Sequence, residues 1–120
     1  MAAATSRKKP AQTLLGTQMQ AQAEQAAELL KALSNPQRLR VMCMLIDSEK
    51  TVGEINAEIE LSQSALSQHL AVLREGGWVQ TRRESQNVYY SVTEGPVYKL
   101  IQTLHDIYCP ASGADDDTLC

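Results

Sequence analysis

Residues 51–92 read TVGEINAEIELSQSALSQHLAVLREGGWVQTRRESQNVYYSV, and the hydrophobic period within them changes from helical to alternating. Thr51 and Glu54 stand three apart, the spacing of a capping box, in which each side chain satisfies an amide left open at a helix start. Ile55 and Ile59 form the stripe of the short helix that follows, Leu61 falls in a tight connection, and Ser62 is a second N-cap. A second helix therefore starts at about Gln63. Along it Leu66, Leu70 and Leu73, with Ala65 and Val72 beside them, recur at three- and four-residue spacing. Gln63, Ser64, Ser67, Gln68, His69 and Arg74 lie on or flank the other face. Gly76 and Gly77 stop the helix, and Trp78 to Arg83 and Asn87 to Val92 then read as two strands joined by Glu84, Ser85 and Gln86.

The polar face of that second helix decides what the stretch can do. A helix that only faces water carries Glu and Lys, whereas one that lies against base edges needs short donors and acceptors with few carboxylates. Gln, Ser, Ser, Gln and His at 63, 64, 67, 68 and 69 fit the second description. Helix, turn, helix and hairpin make a winged helix-turn-helix. Around the hairpin turn, Arg82, Arg83 and Asn87 are placed to meet phosphates or a narrow minor groove. The same geometry also occurs in modules that bind only protein, and patterning leaves both readings open.

Composition agrees with a mainly α protein. At 120 residues the chain is one domain with a modest core and no room for a separate catalytic domain. Apolar residues make up 43% and aromatic residues 4%, with no Phe, so the core must come from Leu, Ile, Val, Ala and Met. A formal net charge of −3 argues against indiscriminate coating of nucleic acid, which depends on phosphate neutralisation. It leaves room for a site-specific binder, because Asp115 to Asp117 lie far from Arg74, Arg82 and Arg83 in sequence. No apolar run reaches membrane-helix or signal-peptide length, so a cytoplasmic protein is expected. Three cysteines with no CxxC spacing exclude a disulfide framework and a zinc knuckle.

Outside the central stretch, residues 1–17 lack a sustained period and read as a disordered arm whose Arg7, Lys8 and Lys9 are a solvated tail. From Gln18 to Leu33 a helical stripe of Met19, Ala23, Ala26, Ala27, Leu30 and Leu33 suits either a dimer seam or burial within one subunit. Asn35-Pro36 is an N-cap with proline at the first helical position, opening a helix to about Ile46 with Leu39, Met42, Cys43 and Ile46 inside. Thr93 is expected to cap a last helix with Val97, Leu100, Ile101, Leu104 and Ile107 or Tyr108 as its stripe, ended by Pro110. The domain thus spans 18–110, and residues 111–120 read as an acidic flexible tail. The expected fold is mainly α with a small β-hairpin, α+β in class, in the order α-α-α-α-β-β-α.

SQSALSQHLAVLREGGWVQTRRESQNVYYSV resembles the DNA-binding segment of the ArsR family of small bacterial repressors, in its SxHL helix, its LREGG stop and its YY hairpin. The likeness extends through LLKALSNPQRLRVMCMLID before it and VYKLIQTLHDIYC after it. The resemblance implies a homodimer that binds an inverted-repeat operator in double-stranded DNA. Many members sense metals, so those sites have to be sought here. The family's cysteine pair would fall in TVGEI, which has none, and its second site would fall on Glu94, Pro96, Ile107 and Pro110, three of which cannot ligate. His105 lacks neighbouring ligands, and no metal or cofactor is expected.

Cys43 in RLRVMCMLID and Cys109 in LHDIYCP resemble the cysteines of an ArsR-like subgroup that answers to persulfide and related reactive sulfur. The resemblance implies redox-sensing roles for Cys43 and Cys109, joined by the inducer as a disulfide or polysulfide bridge that switches operator binding off. Cys120 has no counterpart. Physics alone allows plain packing, because a cysteine on an apolar helix face or at a helix C-terminus is disfavoured as thiolate. One alternative is a winged-helix DNA binder without thiol sensing, or one sensing another oxidant. The other is a small sulfurtransferase using Cys109, weakened because His105 is the sole evident base and no Gly-rich oxyanion loop accompanies it. No catalytic residue is expected, and the protein is read as a regulator and not an enzyme.

Overall fold

The computed structural model describes residues 9–109, with side chains at 16 and from 18 onward. The chain falls into two compact units, residues 1–31 and residues 32–120. In the first unit the described residues form most of helix α1 (Lys9–Leu33), which continues into the second. Helix α1 starts at Lys9 and not at Gln18, so the helical period extends back into the stretch read as an arm. Residues 1–8, and the tail from 110 with Cys120, lie outside the described residues.

The second unit is built on α2 (Pro36–Asp47), β1 (Lys50–Thr51), α3 (Val52–Glu58), α4 (Gln63–Glu75), β2 (Val79–Glu84), β3 (Asn87–Val92) and α5 (Pro96–Tyr108). Each of the first three helices of this unit starts where a side chain dictates. Asn35 Oδ1 accepts from the amides of Gln37 and Arg38 at 2.8 and 3.1 Å. Thr51 and Glu54 close the capping box, with Thr51 N donating to Glu54 Oε1 at 2.9 Å and Glu54 N to Thr51 Oγ1 at 3.2 Å. Ser62 Oγ accepts from Ala65 N at 3.1 Å and so starts α4 at Gln63.

The core is aliphatic, as the absence of Phe requires. Met42, Ile55, Ile59, Leu66, Leu73, Ile101 and Val41 are its largest fully buried side chains. Helix α2 packs against α5, α4 and β3, which makes it the hub of this unit. Val41 and Leu45 join the expected stripe, so α2 is buried over a wider face than its spacing suggested.

Three expectations need correction. The sheet has three antiparallel strands in the order β1-β3-β2, because Lys50 and Thr51 pair with Tyr90 and Tyr89 before the capping box begins. The hairpin turn is Ser85-Gln86, with Glu84 paired to Asn87, while Trp78 stays outside the strand. Thr93 does not cap α5. Its hydroxyl donates to the Gly77 carbonyl at 3.0 Å, and the N-cap is Gly95, whose φ of 120° is a conformation that L side chains rarely adopt.

The end of α4 explains its two glycines by different means. A Cβ on Gly76 would lie 2.1 Å from the Trp78 ring, so that position must be bare for the indole to fold back over the helix end. Gly77 has φ 80° and turns the chain into β2.

Candidate nucleic-acid interface and thiol pair

Helix α4 has one buried and one open side. Leu66, Leu70 and Leu73 are buried, while Gln63, Ser64, Ser67, Gln68 and Arg74 are exposed, which brings together most of the expected reading face. Ser62 and Ser64 hydroxyls lie 3.3 Å apart at its start. Val72, expected beside the leucines, is exposed, because the stripe follows 66, 70 and 73 and leaves 72 off its axis.

His69 is half-buried and turned toward α2. Arg38 Nη1 lies 3.3 Å from His69 Nδ1, and Arg38 Nε donates to the Ala32 carbonyl at 2.7 Å. Burial first, and then the Arg38 charge, hold the His69 pKa below the ordinary imidazole value, so the ring is neutral. Sequence reasoning assigned Arg38 no part. The available signal was its place in the first turn of α2, where a cation is unfavourable to the helix dipole unless it is engaged elsewhere.

The wing divides its two arginines. Arg82 gives Nε to Glu49 Oε1 at 3.1 Å, Nη2 to Glu49 Oε2 at 2.6 Å and Nη1 to Glu84 Oε1 at 2.8 Å. Its guanidinium also lies 4.7 Å from the centroid of the Tyr89 ring. The hydrogen bond from Arg82 is the main cause that lowers the Glu49 pKa, and Glu49 and then Glu84 raise that of Arg82. Arg83 and Asn87 are exposed at the same turn, and Arg83 forms no ion pair among the described residues. Glu49 is a second residue that sequence reasoning missed, since it lies in the link after α2 and reaches the wing only through the fold.

Cys43 on α2 and Cys109 at the C-cap of α5 are both buried, at 2% and 8% exposure, on elements of the same unit. Burial first, and the charge of Asp47 second, push the Cys43 thiol up to about 11. Cys43 is a free thiol, whereas Cys109 is disulfide-bonded to a partner outside the described residues, so no bridge joins these two here. Among the described residues no group of three or more His, Cys, Asp and Glu side chains is arranged to hold a metal. His105 is half-buried with Nδ1 4.0 Å from Asp106 Oδ1.

A profile described as "Bacterial regulatory protein, arsR family" matches residues 35–81, from the α2 cap into β2. The transcriptional activator HlyU of Vibrio cholerae is 48% identical over 95 residues, covering 79% of this chain and 88% of that protein. The biofilm growth-associated repressor of Xylella fastidiosa is 43% identical over 91 residues, covering 76% and 80%. The solved structure of reduced HlyU from Vibrio cholerae aligns with a TM-score of 0.73 at 49% identity, over 77% of this chain and 97% of that one. A homodimeric winged helix-turn-helix DNA-binding domain from Mycobacterium bovis aligns at 0.64 and 26% identity, over 88% and 90%.

Proposed function

Since this chain belongs to the ArsR family of bacterial regulatory proteins and is a DNA-binding transcriptional regulator, we propose that it is a homodimeric repressor whose thiols, when bridged, release the operator. The DNA-reading part rests on one observation, the exposed and nearly uncharged polar face of α4 beside a wing carrying a free cation. Two such helices related by a two-fold axis enter successive major grooves roughly 34 Å apart, which calls for an inverted repeat. The dimer part draws on exposure: Met19 and Leu30 on α1, and Ile107 and Tyr108 on α5, are large apolar side chains open in a single protomer. The last two were expected inside α5, and a partner protomer would supply the cover.

The switch draws on the positions of Cys43 and Cys109, on two elements that pack together, α2 and the end of α5. A donor R–S–S–R supplies the oxidising equivalents. One cysteine thiolate attacks it, forming Cys–S–S–R and expelling RS⁻. The second attacks the cysteine sulfur, forming the Cys43–Cys109 bond and expelling the other RS⁻. With the two thiol protons, the donor leaves as two RSH molecules. An extra sulfane sulfur in the donor gives a polysulfide bridge instead. Such a link forbids conformers with the two Cα atoms more than about 7 Å apart. A non-covalent ligand would need a preference of about 5.5 kcal/mol to shift a two-state population as completely.

The disulfide at Cys109 favours a second reading, in which Cys109 switches with a partner other than Cys43. DNA binding by reduced and persulfide-treated protein, with the bridge mapped by mass spectrometry, separates the two. Cys43→Ser and Cys109→Ser are expected to bind DNA when reduced and to stay bound after persulfide, while Cys120→Ser releases normally. A variant set in which Cys120→Ser alone loses the response overturns the Cys43–Cys109 assignment. Because attack by Cys43 requires a thiolate held at a pKa of about 11, bridging limited by that step accelerates roughly tenfold per pH unit below that value. A pH-independent rate overturns Cys43 as the limiting nucleophile.

A further inference from the structure

Helix α2 holds both DNA-facing elements by charged, forked contacts, one at each end. In its first turn, Arg38 donates to the Ala32 carbonyl at 2.7 Å and meets His69 Nδ1 on α4 at 3.3 Å. Just beyond its last residue, Glu49 takes Arg82 of the wing with both carboxylate oxygens, at 3.1 and 2.6 Å. Glu84 and the Tyr89 ring close the other sides of the same guanidinium.

The chemistry of each contact fixes a geometry. A guanidinium can only donate, so His69 Nδ1 is the acceptor and the ring proton sits on Nε2. Arg38 thereby selects one tautomer and one ring orientation in the middle of the reading helix. At the other end, a two-pronged arginine–carboxylate pair fixes the angle as well as the distance between its partners. The Arg82 and Glu49 side chains are exposed, and exposed ion pairs contribute little to stability. Their effect is on orientation and charge. An unpaired Arg82 would be drawn to any phosphate, which adds sequence-independent affinity. Paired with Glu49, the wing offers one fewer free cation.

We propose that Arg38 and Glu49 are positioning residues for operator recognition, the two grips by which α2 holds the reading helix and the wing in register and keeps binding selective. The inference rests on α4 being the element that reads DNA. Neither residue touches the bases in this scheme. Arg38 acts through His69, and Glu49 acts through Arg82.

The test uses the full-length reduced protein, a duplex selected from a random pool by the wild type, and a random duplex of equal length. If the wild type fails to distinguish the two duplexes, the α4 reading fails, and with it the premise. Given that distinction, Arg38→Gln should weaken binding to the selected duplex about tenfold, the scale of one lost base contact, with the random duplex little changed. Nitrogen-15 NMR of the His69 ring should show loss of the single Nε2–H tautomer and a titration midpoint moved up toward the ordinary value. Glu49→Gln should tighten the random duplex and steepen its salt slope by about one unit, lowering the selected-to-random ratio. Arg38→Lys keeps the charge without the fork and should match Arg38→Gln in that ratio, which also covers a poorly folding Gln variant. Equal losses on both duplexes, a ratio restored by lysine, or an unmoved His69 tautomer each overturn the role of Arg38. An unchanged ratio and slope in Glu49→Gln overturn that of Glu49.

Discussion

Side chains alternate along a strand, so Arg82 and Arg83 of β2 project to opposite faces although they are neighbours in sequence. Arg82 stands opposite Tyr89 in the register and shares its face with Glu84, and Arg83 stands opposite Val88. The pair of cations was legible in the sequence; their division was not, since it depends on Glu49 arriving from thirty-three positions upstream. Arg83→Ala is therefore expected to weaken binding to every DNA sequence and flatten the salt slope by about one unit, with Arg82→Ala changing the slope less. Titration of both variants across salt concentrations checks this, and identical slopes would mean that Arg82 leaves its carboxylates for DNA. On α4, Gln68→Ala should cost on the order of 1–3 kcal/mol on a selected site and little on random DNA. Equal losses on both would assign Gln68 to the backbone.

At the scale of elements, what the sequence disclosed was local. The caps at Asn35, Thr51 and Ser62 and the leucine stripe of α4 act within one or two turns, so a linear reading finds them. Strand β1 is two residues long and owes its existence to β3, thirty-eight positions away in the chain for Thr51 and Tyr89, which no local pattern reports. Thr93 had the chemistry of a cap, but its hydroxyl was taken by the Gly77 carbonyl across the hairpin base. The end of α4 can be tested directly. Gly76→Ala puts a methyl group 2.1 Å from the Trp78 ring, and displacing the indole should cost about 1–3 kcal/mol. Leu66→Ala, at a fully buried position, should cost about 2–5 kcal/mol. Urea midpoints measure both, and a Gly76→Ala variant as stable as the wild type would show that the indole shifts without cost.

For the whole molecule, the apolar side chains open in one protomer carry the argument about assembly. The α1 stripe left two uses open, a dimer seam or burial within one subunit, and Met19 and Leu30 are 61% and 57% exposed. Ile107 on α5 is also 61% exposed, although spacing alone assigned it to the inner stripe. Helical spacing marks an apolar face but does not tell whether the cover comes from the same chain. A second protomer supplies that cover in the proposed dimer, and the energetic cost of a charge there falls on association while the fold within one protomer is spared. Ile107→Lys should accordingly run as a monomer in sedimentation at concentrations where the wild type is a dimer, while retaining its helical circular dichroism. Operator affinity should fall steeply, because one reading helix cannot engage two half-sites roughly 34 Å apart. A lysine variant that remains dimeric and keeps its operator affinity would place the dimer contact elsewhere on the surface.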